Sequence, residues 1–176
     1  MDEVVLLSPD GAPIGTAPKA HVHGAATPLH LAFSCYVYDE DGRLLVTRRA
    51  LVKRTWPGVW TNSFCGHPAP GEALEDAVRR HGRRELGAEL DQLRTELPDF
   101  RYRAVDASGV VENEVCPVFS ARTTSALTPD PAEVMQTVWV EPARLAGAVR
   151  LTPWAFSPWL VLQVEQLDGF TRENAA

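Results

Sequence analysis

Short apolar runs closed by turn-forming residues recur along this chain, and only a few windows carry a helical stripe. Val4 to Leu7 is such a run, ended by SPDG, and it predicts a strand followed by a turn. Residues 16–28 hold Lys19, His21 and His23 among small residues and read as a loop. LHLAFSCYVY, Leu29 to Tyr38, is rich in aromatic and branched residues. DEDG at 39–42 then turns the chain into RLLVTRR, so the two runs predict a hairpin. Thr61 to Cys65 predicts another short strand, leading into GHPAPGE. A helix is expected over Ala73 to Leu86, with Glu72 and Glu75 at its positive end and Gly87 as its stop. Phe100 to Val105 and Val110 to Arg122 read as strands joined by DASG, and Met135 to Val140 as one more. Closing helices are expected near Pro142–Val149 and Ser157–Leu167. Strands outnumber helices and interleave with them, which predicts an α/β or α+β class with a mixed sheet.

Composition changes this picture little. The 176 residues suit one domain with a real core, and 45% hydrophobic with 23% charged residues argues against a disordered or fibrous chain. A formal net charge of −6 disfavours a general nucleic-acid or anionic-membrane surface. Cys35, Cys65 and Cys116 form neither a disulfide ladder nor a zinc-knuckle spacing, and they suggest a reducing compartment. MDEVVLLSPDG opens with acids and breaks at Pro9, unlike a signal peptide, and the apolar run around Trp159 to Val164 is too short to span a bilayer. The expectation is a cytoplasmic globular protein.

Three places break the pattern of a bland core. In VVENEVCPVF, Glu112 and Glu114 share one face of a strand flanked by Val110, Val111, Val115, Val118 and Phe119. A solvated face is the ordinary explanation for two strand glutamates, but this strand looks central, and two like charges on a buried side call for a cation. On the expected helix, Leu74, Ala77, Val78, His81 and Glu85 form one stripe, so Glu85 continues the apolar face while Arg79, Arg83 and Arg84 take the wet side. An internal salt bridge or a metal would satisfy Glu85. His23, His30 and His67 complete a nitrogen and oxygen donor set that suits Zn²⁺, Mn²⁺ or Fe²⁺. Cys35 and Cys116 lie in apolar strands and read as small core residues. Cys65 ends a strand beside glycine, where a neighbouring charge would activate its thiol.

LHLAFSCYVYDEDGRLLVTRRALVKRTWPGVWTNSFCGHPAPGE, with FRYRA, ENEVCPVF and TPWAFSPW, resembles the type I isopentenyl-diphosphate Δ-isomerases, close to the short bacterial form. The likeness runs in register from about Val4 to Leu167, and TNSFCGHP together with ENEVCPVF is its specific signature. It implies a Nudix fold, a mixed sheet between helices, as a single domain over 1–176. The core would span about 28–162, with an N-terminal strand and metal or substrate loop over about 1–27. A Nudix box can be laid on Gly66 to Ala88. Gly66, Glu72, Arg80, Glu85 and Gly87 match, but two other glutamate positions carry His81 and Arg84, and Gly82 takes the apolar slot. Diphosphate hydrolysis on this fold uses clustered carboxylates to hold Mg²⁺, so the thinned cluster disfavours it.

The resemblance further implies that His23, His30, His67, Glu112 and Glu114 bind one divalent metal (Mn²⁺, Zn²⁺ or Mg²⁺), and that Cys65 and Glu114 are the catalytic pair. A Mg²⁺ arriving with the substrate diphosphate would be held by Glu85 and the Cys65 carbonyl. Lys19, Arg49 and Lys53 would contact the diphosphate, and Tyr102 and Trp159 the reacting carbons. His81 stands where short bacterial members can carry a diphosphate-holding arginine, a role open to Arg80 or Arg84. The reaction implied is interconversion of isopentenyl and dimethylallyl diphosphate through a tertiary carbocation, with no flavin or nucleotide, no nucleic-acid or membrane partner, and a monomer. The rivals are a Nudix diphosphohydrolase and a non-catalytic zinc-binding or regulatory domain.

Overall fold

The computed structural model describes residues 3–171. Its strands are β1 (Glu3–Leu7), β2 (Pro13–Pro18), β3 (His30–Leu31), β4 (Phe33–Tyr38), β5 (Leu44–Arg49), β6 (Trp60–Thr61), β7 (Phe64–Gly66), β8 (Asp91–Leu97), β9 (Arg101–Val105), β10 (Val111–Val115), β11 (Val118–Arg122) and β12 (Val134–Val140). Its helices are α1 (Lys19–Val22), α2 (Leu74–Leu86), α3 (Pro142–Leu151), α4 (Pro158–Val164) and α5 (Asp168–Thr171), with a 3-10 turn at Pro153–Ala155. The strands form two mixed sheets, in the orders β2-β1-β3-β10-β9 and β12-β5-β4-β11-β8, with β6 on β5 and β7 on β4.

Two runs expected to be single strands each cross from one sheet to the other. Leu29–Tyr38 divides at Ala32 into β3 and β4, and Val110–Arg122 divides at Cys116–Pro117 into β10 and β11. Pro117 has no N–H to give a ladder, so pairing stops there while its carbonyl accepts from Ser34 N–H at 3.1 Å. The crossing strands run parallel side by side, β3 with β10 and β4 with β11, and carry their side chains into both halves of the core. The expected β4–β5 hairpin closes only at Tyr38↔Leu44; beyond it, β6 and β7 take the inner edges.

Residues 16–28 are not all loop. Thr16 and Ala17 pair with Val5 and Val4 in the β1–β2 ladder, and Lys19–Val22 makes one helical turn. Asp91–Leu97 forms a mostly exposed edge strand whose polar sequence gives no apolar alternation. β4 is buried on both faces. Phe33, Cys35 and Val37 pack with Phe64, Ala77, Val78 and Leu86 on the α2 side, while Tyr36 packs with Trp159, Leu160 and Val164 of α4. α2 keeps the expected stripe, with Ala77, Val78, His81, Glu85 and Leu86 buried. It stops at Gly87, whose φ of 65° is the left-handed cap that glycine tolerates.

Candidate active site

Strand register alone assembles one wall of the site. Glu114 of β10 lies opposite His30 of β3 on one side and Tyr102 of β9 on the other. Side chains opposite one another across strands share a face, so an imidazole, a carboxyl and a phenol stand in a row. Tyr102 Oη–H donates to Glu114 Oε2 at 2.9 Å. His30 Nδ1–H donates to the Pro28 carbonyl at 2.9 Å, which leaves the Nε2 lone pair facing inward. That atom lies 3.4 Å from Glu114 Oε1 and 3.2 Å from His67 Nε2; His67 Nε2 in turn is 3.3 Å from Glu114 Oε1. His67 arrives from the turn after β7, and His23 from the end of α1.

Donor atoms of His23, His30, His67 and Glu114 all lie within 4.8 Å of one another. Glu112 stands just outside that group, its Oε2 2.9 Å from His23 Nε2. Those two buried atoms touch without an aligned hydrogen bond, and both lack any other partner. Inward nitrogen lone pairs, a carboxylate and orphaned buried atoms fit a divalent cation, which would satisfy them together. Without an ion, burial pushes His67 down to about 4. Burial also works to raise Glu114, but the neighbouring His30 and His67 imidazoles outweigh it and hold the carboxyl well below its ordinary range.

The other wall comes from the second sheet. Cys65 pairs with Ser34 across β7 and β4. Its Sγ lies 3.3 Å from Ser34 Oγ and 3.3 Å from Asn62 Oδ1. Burial pushes the thiol up to about 11, against the lowering pull of Ser34 and Asn62. Trp159 Nε1–H donates to the same Asn62 Oδ1 at 3.0 Å, and the Trp159 and Tyr102 rings lie 5.7 Å apart. Cys65, Glu114, Tyr102 and Trp159 all line one cleft of about 570 Å³, with His23, His67 and Glu112 at its histidine-rich end. His30 is buried behind them.

Positive charge rings the same cleft. Lys19, Arg49, Lys53 and Arg84 line it, and burial followed by the nearby Arg84 lowers the Lys19 ammonium from its ordinary range. Lys53 is paired with Glu133, an acid that the sequence did not single out. Arg49 directs Nε and Nη2 at the Thr55 carbonyl, at 3.1 and 2.8 Å, and lies over the Trp159 ring at 5.4 Å. It therefore also orders the loop that holds Trp56 in a left-handed conformation, φ 43°. Of the two arginines open to the His81 role, Arg84 reaches the cleft, whereas Arg80 is held by Glu72 at 2.6 Å. His81 Nδ1–H donates to Glu85 Oε1 at 2.6 Å, and Arg84 Nη2–H donates to that oxygen at 2.9 Å. The ring fits only because position 66 is glycine: a Cβ there would meet it at 2.6 Å.

Ser34, Asn62 and Gln163, like Glu133, are polar residues of the site to which the sequence assigned no role. The available signal was TNS, three polar residues between Trp60 and Phe64, all of them buried.

A NUDIX domain matches residues 28–160. An isopentenyl-diphosphate Delta-isomerase of Agromyces mediolanus is 66% identical over 164 residues, covering 93% of this chain and 80% of its own length. One of Brevibacterium linens is 59% identical over 174 residues, covering 99% of this chain and 96% of its own. The crystal structure of DR0079 from Deinococcus radiodurans shares the fold at 18% identity, with a TM-score of 0.73 over 95% of this chain and 99% of that one. A MutT NUDIX hydrolase from Burkholderia pseudomallei does so at 22% identity, with a TM-score of 0.59 over 78% and 97%. Two-sheet topology, donor cluster and relatives agree, and the chain belongs to the isopentenyl-diphosphate Delta-isomerase family on the NUDIX fold.

Proposed function

We propose that this protein interconverts isopentenyl and dimethylallyl diphosphate, with Glu114 and Cys65 as its two proton-transfer groups. The observation that carries the reading is a carboxyl from one sheet and a thiol from the other lining a single aromatic cleft. A proton added at C4 of isopentenyl diphosphate leaves a tertiary cation at C3, and loss of a proton from C2 forms the new double bond. Glu114, hydrogen-bonded by Tyr102, serves C4, and Cys65 serves C2. One proton is gained and one lost, so the pair exchanges roles between the forward and reverse directions. Burial raises the Cys65 thiol, so the resting sulfur holds its proton, the state from which the reverse direction starts.

Positioned proton transfer supplies roughly 10²–10⁴-fold, so an unactivated alkene needs further help. The Trp159 face contributes about 0.5–2 kcal/mol to a nearby cation. The Glu114 carboxylate adds a larger electrostatic stabilisation in a site shielded from water. His23, His30, His67 and Glu114, with Glu112 beside them, would hold one divalent ion, Zn²⁺ or Mn²⁺ by donor type and Mg²⁺ by availability. Such an ion would fix the Glu114 carboxyl and tune its proton affinity. Lys19, Arg49, Lys53 and Arg84 would bind the substrate diphosphate, with Glu85 and the Cys65 carbonyl available to its accompanying Mg²⁺. Binding energy at the diphosphate then positions the five-carbon chain.

Purified protein given Mn²⁺, Mg²⁺ and isopentenyl diphosphate is expected to form dimethylallyl diphosphate, followed by proton NMR. Release of phosphate without isomer would favour a diphosphohydrolase. Thermal stabilisation by metal with neither product would favour a binding module.

A further inference from the structure

Asn62 is fully buried and uses every hydrogen-bonding position of its side chain. Its Nδ2 group donates to the carbonyls of Cys35 at 3.0 Å and Phe64 at 2.8 Å. That fixes the amide orientation, because a flipped oxygen would face two acceptors. Oδ1 then receives three donors: Thr61 Oγ1 at 2.9 Å, Trp159 Nε1 at 3.0 Å and Cys65 Sγ at 3.3 Å. Indole nitrogen can only donate, so the flip is excluded from this side too.

The Trp159 end is tied down twice. Thr61 Oγ1 lies 2.8 Å from Ser157 Oγ, and Ser157 caps the helix that carries Trp159 by accepting from Leu160 N–H. The Cys65 end has a second support in Ser34. Tyr36 Oη–H donates to Gln163 Oε1 at 2.8 Å, Gln163 Nε2–H donates to Ser34 Oγ at 3.0 Å, and Ser34 Oγ lies 3.3 Å from Cys65 Sγ. Sulfur thus rests between one oxygen that can only accept and one hydroxyl already receiving a donor.

We propose that Asn62 is a positioning residue for the isomerisation: one carbonyl oxygen sets the Cys65 thiol and the Trp159 ring at a fixed separation, so that sulfur meets one face of the C2 carbon while the indole lies against C3. This rests on the function proposed above. Asn62 has no place among the diphosphate-binding side chains, so its removal changes geometry at the reacting carbons rather than affinity for the charged end. A displacement of about 1 Å at a reacting centre costs on the order of 10²-fold.

The test is Asn62→Ala, with isopentenyl diphosphate turned over in D₂O and the product read by NMR. With one thiol on one face of the alkene, wild type is expected to exchange one of the two C2 hydrogens. The variant is expected to lose about 10²-fold in kcat with KM within threefold, and to label both C2 positions. As a second variant, benzothienylalanine at position 159 keeps the ring and deletes its one N–H donor. It should lower kcat about tenfold in the wild-type background and not at all in Asn62→Ala. If Asn62→Ala fails to fold, the position-159 replacement decides alone. A kcat within twofold of wild type for that replacement, or a folded Asn62→Ala that keeps one-sided labelling, overturns the proposal. An inactive wild-type enzyme would instead overturn the function on which it rests.

Discussion

Glu114 gathers more of the site than any other side chain: Tyr102 donates to one of its oxygens, and two imidazole nitrogens lie within 3.4 Å of the other. Tyr102→Phe removes one hydrogen bond to a charged group, worth about 1.5–3 kcal/mol, so kcat/KM should fall roughly ten- to a hundredfold while the fold persists. Steady-state kinetics beside circular dichroism checks this. Cys65 makes a prediction in pH. Its folded value of about 11 lies above the ordinary 9.0, so the folded state holds the proton more tightly. That contribution is complete below pH 9 and is lost as pH rises toward 11. Denaturant titrations at pH 8 and pH 10.5 should show a larger loss in wild type than in Cys65→Ala; equal losses would contradict the assignment. At this scale most of the site was legible, because histidines and same-face glutamates in an apolar strand announce themselves. Asn62, Ser34 and Gln163 did not, since a polar residue in an expected strand or helix reads as solvent-facing until its partners from distant elements are known.

Among the elements, the α2 stripe and its glycine stop read correctly because helical periodicity and capping are local. Strand division did not, because the break at Ala32 reflects hydrogen bonds from Ala32 N–H to Val115 and from Ser34 N–H to Pro117 rather than any punctuation of its own. β8 left no signal: an exposed edge strand needs no apolar face. The packing of α2 on β7 yields a sharp prediction. Gly66→Ala would push a methyl against the His81 ring and through it against Glu85, which should destabilise the fold by about 1–3 kcal/mol. Thermal unfolding measures this, and Gly71→Ala is not a neutral control because its φ is 78°. Gly24→Ala is a better one, with open space around the added carbon.

For the molecule as a whole, the N-terminal strands and α1 carry His23 and Lys19 onto a core that supplies Cys65, His67, Tyr102, Glu114 and Trp159 to the cleft. A cation in the histidine cluster would therefore join this segment to both β10 and the turn after β7. Metal present at a hundred times its dissociation constant adds about 2.7 kcal/mol. Chelation should accordingly lower the melting temperature of wild type and leave a His23→Ala, His67→Ala variant almost unmoved, as calorimetry can show. No described helix is long and apolar enough to cross a membrane. The most direct examination of the paired proton-transfer groups is exchange in D₂O, followed position by position on isopentenyl diphosphate by NMR. Cys65→Ala should still carry deuterium into C4 without forming dimethylallyl diphosphate, and Glu114→Gln should carry it nowhere. Wild-type rates of isomer formation in both variants would contradict the account.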